Sequence, residues 1–365
     1  MVEFYNSKHE NVLRSRSSYK NILKIIESGL TVDDDLWIYC LFKEQRNRDG
    51  FRTYEDFASR LTKRIQLLED YIDLNSNTIS AIDEKPDKII SEYIGVGCGL
   101  KLISEIHGLT EADWELIPES KTKDLDFQIS SDGKTIIEVE CKGTFNGSTR
   151  SNMMSSIEAK KEVQRNEQNN NHILYGVIAS YYFGDSKPAR ADILDPEPLE
   201  LYSDPYLVRL LNRLKYYLTQ FNVFSRAHFL ISLSERINVL KHTKNYNELD
   251  GLPLINQYGE PFEFPVSFDW KKPLRKHDDI IGNIFFVSEK DYLFFGINQN
   301  IVNLLIRQDH SAILDYREKA EMFSVSDEIQ ISPEQKLEKE NETFFVEGVV
   351  HQNTAGLVFG VLNRF

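Results

Sequence analysis

Residues 123–143 alternate apolar and polar positions on both sides of a Ser131-Asp132-Gly133 turn. Such alternation, interrupted by turn residues, predicts an antiparallel β-hairpin. Because successive side chains of a strand point to opposite faces, one face of this hairpin is apolar and the other is charged. The charged face carries Asp124, Asp126 and Gln128 from the first strand, and Glu138, Glu140 and Lys142 from the second.

The turn decides which residues of the hairpin face each other. A two-residue turn would place the two apolar rows on opposite faces, whereas a three-residue loop over 131–133 aligns them. Gly133 suits that loop because glycine readily takes the left-handed bulge position. The expected register pairs Asp124 with Glu140, and Asp126 with Glu138.

The cluster of carboxylates on one face points to metal chemistry. Like charges across a sheet repel, and a divalent cation would screen them. Mg²⁺ is commonly held by one or two protein carboxylates together with waters and substrate phosphate oxygens. Glu140 with Asp126 or Asp124 would supply these carboxylates, and Lys142 would orient a water or stabilise charge on phosphate. The alternative is an ordinary solvated strand face.

Periodicity predicts further elements on both sides of the hairpin. Residues 88–107 have helical spacing, and 113–117 form a short strand that ends at Pro118. A polar helix over 151–168 and a buried strand over 172–180 follow the hairpin. Gly95, Gly97 and Gly99 lie inside the first helix and not after a strand. They therefore predict close packing of helix on sheet and not a phosphate-binding loop.

Asp126, followed on the next strand by Glu140-Cys141-Lys142, resembles the Asp…(Asp/Glu)-x-Lys signature of the PD-(D/E)XK nuclease superfamily. That restriction-endonuclease-like fold runs helix, three-stranded meander, helix, strand, similar to the order predicted over 88–180. The resemblance implies that Asp126, Glu140 and the backbone carbonyl of Cys141 bind Mg²⁺ or Mn²⁺. It also implies that Lys142 assists the attacking water. The proline that usually precedes the aspartate is replaced by Leu125.

The resemblance implies additional site residues on the two helices. Family members often add a glutamate from the helix before the meander, here Glu92, with Glu105 behind it. A solvated role for Glu92 is the alternative. Some members also carry a Gln or Lys in the following helix that meets the nucleotide, and Lys160, Lys161 and Gln164 are available there.

The remaining chain predicts an N-terminal helical region and a C-terminal α+β part. Helices are expected over 11–28, 34–46, 54–74, 206–221 and 298–321, with a polar linker at 75–81, a long loop at 181–202 and a strand at 227–233. Further strands are expected from residue 281 onward. The fold class is therefore α/β (α+β), with a restriction-endonuclease-like mixed sheet flanked by helices. The expected domains are residues 1–82, 83–235 (the nuclease-like core) and 236–365.

Charge is the main observation against a nucleic-acid partner. The chain has 57 acidic and 43 basic residues and a net charge of −14, whereas most nucleic-acid binders present a basic surface. Net charge does not report local distribution, and basic clusters occur at 14–24, 160–165, 209–215 and 271–277. We therefore expect weak nonspecific DNA binding, with activity controlled by oligomerisation, a ligand or an activating partner.

Composition limits the cellular setting. Three cysteines without zinc-site spacing favour a reduced intracellular protein. No apolar run reaches membrane-spanning length, and the first residues are not a signal peptide. These features predict a globular cytoplasmic protein without a membrane partner.

Taken together, the sequence predicts a Mg²⁺-dependent endonuclease that acts on DNA, in restriction or phage defence. One alternative is an RNA-directed nuclease of the same fold. Another is a non-catalytic binding or assembly protein that uses a nuclease-like domain to dock its partners.

Overall fold

The computed structural model describes residues 1–14, 18–32, 36, 39–40, 54–75, 78–116, 127–131, 136–167, 172–184, 187–194, 205–221, 227–243, 245–263, 279–331 and 342–365. Asp124, Asp126, the turn at 132–135 and the basic cluster at 271–277 lie outside these residues, and Gln164 is described by its backbone alone. The chain forms two compact units, Met1–Arg48 with Ile65–Arg213, and Asp49–Arg64 with Leu214–Phe365.

The elements up to residue 221 include both helices and strands. In chain order they are β1 (Val2–Phe4), α1 (Ser7–Leu13), α2 (Tyr19–Ser28), α3 (Tyr54–Tyr71), β2 (Ile72–Asn75), β3 (Thr78–Ala81), α4 (Lys88–His107), β4 (Glu115–Leu116), β5 (Phe127–Ser131), β6 (Ile136–Phe145), α5 (Arg150–Glu167), β7 (His172–Phe183), β8 (Arg190–Leu194) and α6 (Pro205–Phe221).

The first unit is built on a mixed eight-stranded sheet with the order β1-β8-β7-β6-β5-β4, to which β2 and β3 add beside β7. Strands β4, β5 and β6 form an antiparallel meander, and β7 runs parallel to β6. Strand β8 is antiparallel to β7, and β1 is parallel to β8. Parallel neighbours need a crossover connection, and α5 provides it between β6 and β7.

Helices cover both faces of this sheet. On one face, Gly99 of α4 lies against Cys141 of β6. On the other, Ile157 of α5 packs in a buried cluster with Ile178 of β7 and Leu194 of β8. The result is a layered arrangement of helix, sheet and helix around an apolar core.

The ends of α4 are set by local hydrogen bonds. The Asp87 side chain accepts a hydrogen bond from the Ile89 N–H at the N-terminus, as an N-cap residue does. At the C-terminus Gly108 has φ 66, and its N–H donates to the Ser104 carbonyl. This left-handed position favours glycine and ends the helix.

The remaining elements are α7 (Ala227–His242), β9 (Ile280–Phe286), β10 (Asp291–Asn298), α8 (Gln299–Arg307), α9 (His310–Asp315), β11 (Glu321–Ile331), β12 (Glu342–Gln352) and β13 (Leu357–Arg364). The second unit contains a five-stranded antiparallel sheet with the order β11-β12-β13-β10-β9. Its buried face includes Tyr292, Phe294, Val346, Val350 and Leu362. No helix in the described ranges is long and apolar enough to cross a membrane.

The predicted α/β (α+β) class is confirmed, and the long periodic elements are close to their expected bounds. Helices α4, α5 and α6 and strand β7 each lie within a few residues of the prediction. Residues 11–28 are wrong as a single helix, because α1 ends at Leu13 and α2 starts at Tyr19.

Several short elements were predicted wrongly. Residues 227–233 begin helix α7 and are not a strand, since a short apolar run does not distinguish the two. The expected loop at 181–202 contains β8, and the expected linker at 75–81 contains β3. The expected helix at 298–321 is two helices, α8 and α9, which end at Arg307 and Asp315. Strand β8 pairs with β1, and β3 pairs with β7. Both partners are far away in sequence, which local periodicity does not report.

The register of the hairpin also differs from the expected one. Phe127 pairs with Val139 and Gln128 with Glu138, with a register shift between Gln128 and Ser130. Asp126 is therefore not the partner of Glu138. Both Gln128 and Glu138 belong to the face predicted to be polar, so the bulge changed the pairing without exchanging the faces.

A buried ion-pair network holds α6 against the segment before β4. Asp113 is fully buried and accepts hydrogen bonds from Arg209 Nε at 2.8 Å and from Arg213 at 2.6 and 2.8 Å. Burial raises the pKa of Asp113, but the charges and hydrogen bonds of Arg213 and Arg209 outweigh this and lower it to about 2. These two arginines of the 209–215 cluster therefore bind a buried carboxylate and are not an exposed phosphate-binding surface.

We expect Asp113→Asn to lower the free energy of unfolding at pH 7 by about 3 to 5 kcal/mol, because it leaves buried arginine charge without its partner. The carboxyl pKa falls from 3.8 when unfolded to about 2 when folded. The contribution is therefore complete above pH 3.8 and is lost as the pH falls through 2. Urea denaturation of both proteins from pH 7 down to pH 2 tests this, with the exposed Asp70→Asn as control. A difference that does not shrink on acidification would contradict it.

Candidate active site

Strand β6 is buried on both faces in its central part. The predicted apolar row is confirmed, with Ile137 and Val139 at 0% and Cys141 at 5% exposure. The charged row is buried as well, with Glu138 at 2% and Glu140 at 0%. The alternative of a solvated strand face is therefore wrong for these two carboxylates.

The Glu140 carboxylate is held by two lysines from different elements. Lys160 Nζ on α5 donates to both carboxylate oxygens, at 2.7 and 2.8 Å. Lys142 Nζ, on the same strand as Glu140, lies 2.5 Å from Oε1. The lysine side chains are 21% and 29% exposed, while that of Glu140 is 0% exposed. The carboxylate itself is thus buried, while the two lysine side chains bound to it are partly exposed to solvent.

An open cleft of about 790 Å³ lies beside this ion pair, at the C-terminal end of β6. Lys88 and Glu92 of α4 line it on one side, and Asn152 and Met153 of α5 on the other. Its β6 lining runs from Cys141 through Lys142 to Phe145. Clefts outside the carboxyl ends of strands are the usual position of ligand sites in sheets of this kind.

The glycines of α4 fix the position of Lys142. A Cβ on Gly95 would lie 2.3 Å from the Gly143 nitrogen and 2.5 Å from the Lys142 carbonyl carbon, and one on Gly143 would lie 1.7 Å from the Ser91 oxygen. Real Cβ atoms are not found so close to backbone, so helix and strand meet here only because both positions are glycine. The predicted close packing of helix on sheet is confirmed for Gly95 and Gly99, whereas Gly97 lies against Leu36 and Cys40.

The connection from β6 to α5 shapes the far wall of the cleft. Asn146 and Gly147 both have positive φ, and α5 starts immediately after this turn. The Arg150 guanidinium then binds both oxygens of the buried Asp192 carboxylate of β8, at 2.5 and 2.7 Å. The first turn of α5 is thereby tied to the sheet, which fixes the helix that carries Lys160.

Hydroxyl groups and one aromatic ring complete the cleft. Thr144 Oγ1 and Thr149 Oγ1 are 2.9 Å apart, and Ser91 Oγ is 2.8 Å from the Tyr181 hydroxyl. Burial raises the pKa of Tyr181, although the Ser91 hydrogen bond opposes this, so the phenol stays protonated at neutral pH. The Phe145 ring lies 5.6 Å from the Tyr181 ring. These hydroxyls had no motif that would have identified them from the sequence.

The structure brings some of the predicted site residues together. Glu140 and Lys142 are in contact, and Cys141, Lys142 and Glu92 line the cleft. Glu92 is 47% exposed and lies 3.9 Å from Lys88.

The other predicted site residues are not placed in the cleft. Asp124 and Asp126 lie outside the described residues, and so does the side chain of Gln164. Lys161 is fully buried with its Nζ 3.9 Å from Glu158. Glu105 is exposed and is not part of the cleft lining.

Carboxylate oxygens such as those of Glu140 are the ligand type that a hard divalent cation takes. The Lys160 ammonium already lies within hydrogen-bond distance of both carboxylate oxygens, the position in which a carboxylate holds a cation. Among the described residues, no group of three or more His, Cys, Asp or Glu side chains gathers to hold a metal ion. Mg²⁺ commonly needs only one or two protein carboxylates, so Glu140 and one further carboxylate would suffice.

Comparisons of the chain with protein family models, with curated proteins and with solved structures found no match. The geometry and chemistry of the site are therefore the basis for assigning a function.

We expect Gly95→Ala to destabilise the protein by about 1 to 3 kcal/mol, as overpacking does. On an uncrowded helix the same change would stabilise by up to about 1 kcal/mol, so the sign of the effect is diagnostic. Chemical denaturation measures it, and Glu105→Ala on the exposed part of α4 is the control. Increased stability of Gly95→Ala would contradict the backbone contact between α4 and β6.

We expect Glu140→Gln to lower the free energy of unfolding by about 1 to 3 kcal/mol, because the amide leaves two ammonium groups without their carboxylate. Lys160→Met in the same chain should restore part of this loss, since one unpaired charge disappears. Glu162→Gln, on the exposed side of α5, serves as the matched control in denaturation experiments. Strictly additive losses in the double variant would contradict the coupling.

Proposed function

We propose that the chain is a metal-dependent nuclease of the PD-(D/E)XK type, which hydrolyses phosphodiester bonds in DNA. We further propose a role in restriction or phage defence. The observation on which the proposal depends is the buried Glu140 carboxylate, bound by Lys142 beside an open cleft. A buried charge is costly to keep, and groups of this kind cluster at functional sites.

The order of elements supports the proposal. From α4 through β4, β5 and β6 to α5 and β7, the chain runs helix, three-stranded meander, helix and strand. This agrees with the order of the restriction-endonuclease-like fold. Fold alone does not imply activity, so the assignment depends on what the side chains of β6 do.

The spacing and placement of Glu140 and Lys142 also support it. The two residues lie on the same face of β6, and Lys142 continues from Glu140 into the cleft. Asp126 directly precedes Phe127, which pairs with Val139, the residue before Glu140. In the proposal Asp126 therefore joins Glu140 and the carbonyl of Cys141 in one metal site, with Glu92 as a further candidate from α4.

Each residue has a role that follows from its chemistry. Lys142 brings a compact positive charge with three donors to the cleft, so it can hold the attacking water in line and stabilise charge on the phosphate. Glu140 fixes the direction of that ammonium group and supplies oxygen ligands. The hydroxyls of Thr144, Thr149 and Ser91 can donate hydrogen bonds to phosphate oxygens. A bound Mg²⁺ would polarise the phosphate and lower the pKa of its water.

A non-catalytic role is the second candidate. Glu140 is already neutralised by Lys142 and Lys160, an arrangement that also serves as a purely structural ion pair. In that case the nuclease-like unit would dock a partner or contribute to assembly. Metal-dependent cleavage distinguishes the two functions, because the nuclease would show it and the non-catalytic protein would not.

The test is cleavage of plasmid DNA, single-stranded DNA and RNA by the purified full chain with Mg²⁺, Mn²⁺ or EDTA. We expect cleavage of DNA with metal and none with EDTA. Glu140→Gln and Lys142→Ala should each reduce the rate on the order of 10²- to 10³-fold, as loss of a group that stabilises the transition state does.

Glu162→Gln is the matched control, because it removes one carboxylate from the exposed side of α5. Thermal unfolding of every variant separates loss of chemistry from loss of folding. A preference for RNA would assign the same site to a different substrate. Metal-dependent cleavage that survives in both Glu140→Gln and Lys142→Ala would contradict the assigned site.

A further inference from the structure

The position of Lys160 has a consequence for metal binding. Its ammonium donates to Oε1 and to Oε2 of Glu140, so it spans the edge of the carboxylate that a metal ion would use. The Lys142 ammonium lies 2.5 Å from Oε1. Both lysines neutralise the same group, and the two hydrogen bonds of Lys160 place its ammonium across the edge of the carboxylate.

The Lys160 ammonium can leave the carboxylate without a change in the fold. Lys160 reaches Glu140 from α5, and its side chain is 21% exposed. A lysine has a flexible four-carbon stem, so the Lys160 ammonium can move to solvent while α5 stays in place.

We infer that Lys160 is a resident counter-cation that competes with the divalent metal for Glu140. The inference depends on the proposed metal-dependent function. A divalent ion on both carboxylate oxygens would meet the Lys160 ammonium at the same position, and like charges at that distance repel strongly in a buried site. Metal binding and the Lys160–Glu140 ion pair are therefore mutually exclusive. Lys160 keeps the apo site folded and sets a low metal affinity.

The role assigned to Lys160 is distinct from contact with the substrate. Lys160 is not among the residues that line the cleft, and its described hydrogen bonds go to the carboxylate. It is a positioning residue that acts through Glu140. Its effect should appear in the binding of metal without any nucleic acid present.

Calorimetric titration of Mn²⁺ into the full chain tests this without substrate. Lys160→Met removes the charge and keeps the aliphatic stem, and should bind Mn²⁺ about 10- to 100-fold more tightly than the wild type, the value expected for loss of a charge-assisted competitor. Lys20→Met, on the exposed side of α2, controls for the change in net charge. Lys160→Gln is the second variant if the methionine protein does not fold.

The outcomes separate this inference from the proposed function. Tighter binding in Lys160→Met, with Lys20→Met unchanged from the wild type, supports the competition. Equal or weaker binding in the Lys160 variants overturns it, while metal-dependent cleavage by the wild type would leave the proposed function standing. Absence of Mn²⁺ binding in the wild type, in Lys160→Met and in Lys160→Gln overturns both.

Discussion

The direct contact between the backbones of α4 and β6 is the constraint on which the site depends. It exists because Gly95 and Gly143 present no side chain where helix and strand meet. Packed helices lie about 8 to 10 Å apart and stacked sheets about 10 Å apart, with side chains filling the gap. Here the near absence of that gap places Ser91 and Glu92 beside Lys142 and forms the floor of the cleft. Any side chain at the contact would move β6 relative to α4.

Strand β6 is enclosed by helices on both faces, and this places a second constraint on the site: the buried charge of Glu140 must be balanced. With α4 on one face and α5 on the other, Glu140 has no direct access to water. Its charge must be balanced within the protein, and Lys142 and Lys160 do so. Replacing such an ion pair by apolar residues is often neutral or stabilising. Stability alone therefore does not explain why the pair is present, and under the proposed function its chemistry does.

The sequence predicted the parts of this site that are encoded locally. The alternation along β6 assigned Glu140 and Lys142 to one face, and the glycines of α4 indicated tight packing. The partner of Glu140 on α5 was not predictable, because helical periodicity does not say which lysine of 160–161 points to the sheet. The hairpin register was predicted wrongly for a similar reason. The shift between Gln128 and Ser130 is a property of the paired strands and not of either strand alone. Strands β1, β3 and β8 are too short to show a period of their own.

The arginines of α6 do little to offset the net negative charge at the surface of the protein. Arg209 and Arg213 bind Asp113 inside the first unit, so the 209–215 cluster adds little to an attractive surface field. Under the proposed function, Lys88 and Lys142 are the lysines of the cleft lining that would meet the phosphate backbone. Each neutralised phosphate contributes about one unit to the salt dependence of nucleic-acid binding. These two lysines would therefore add about two units to that dependence.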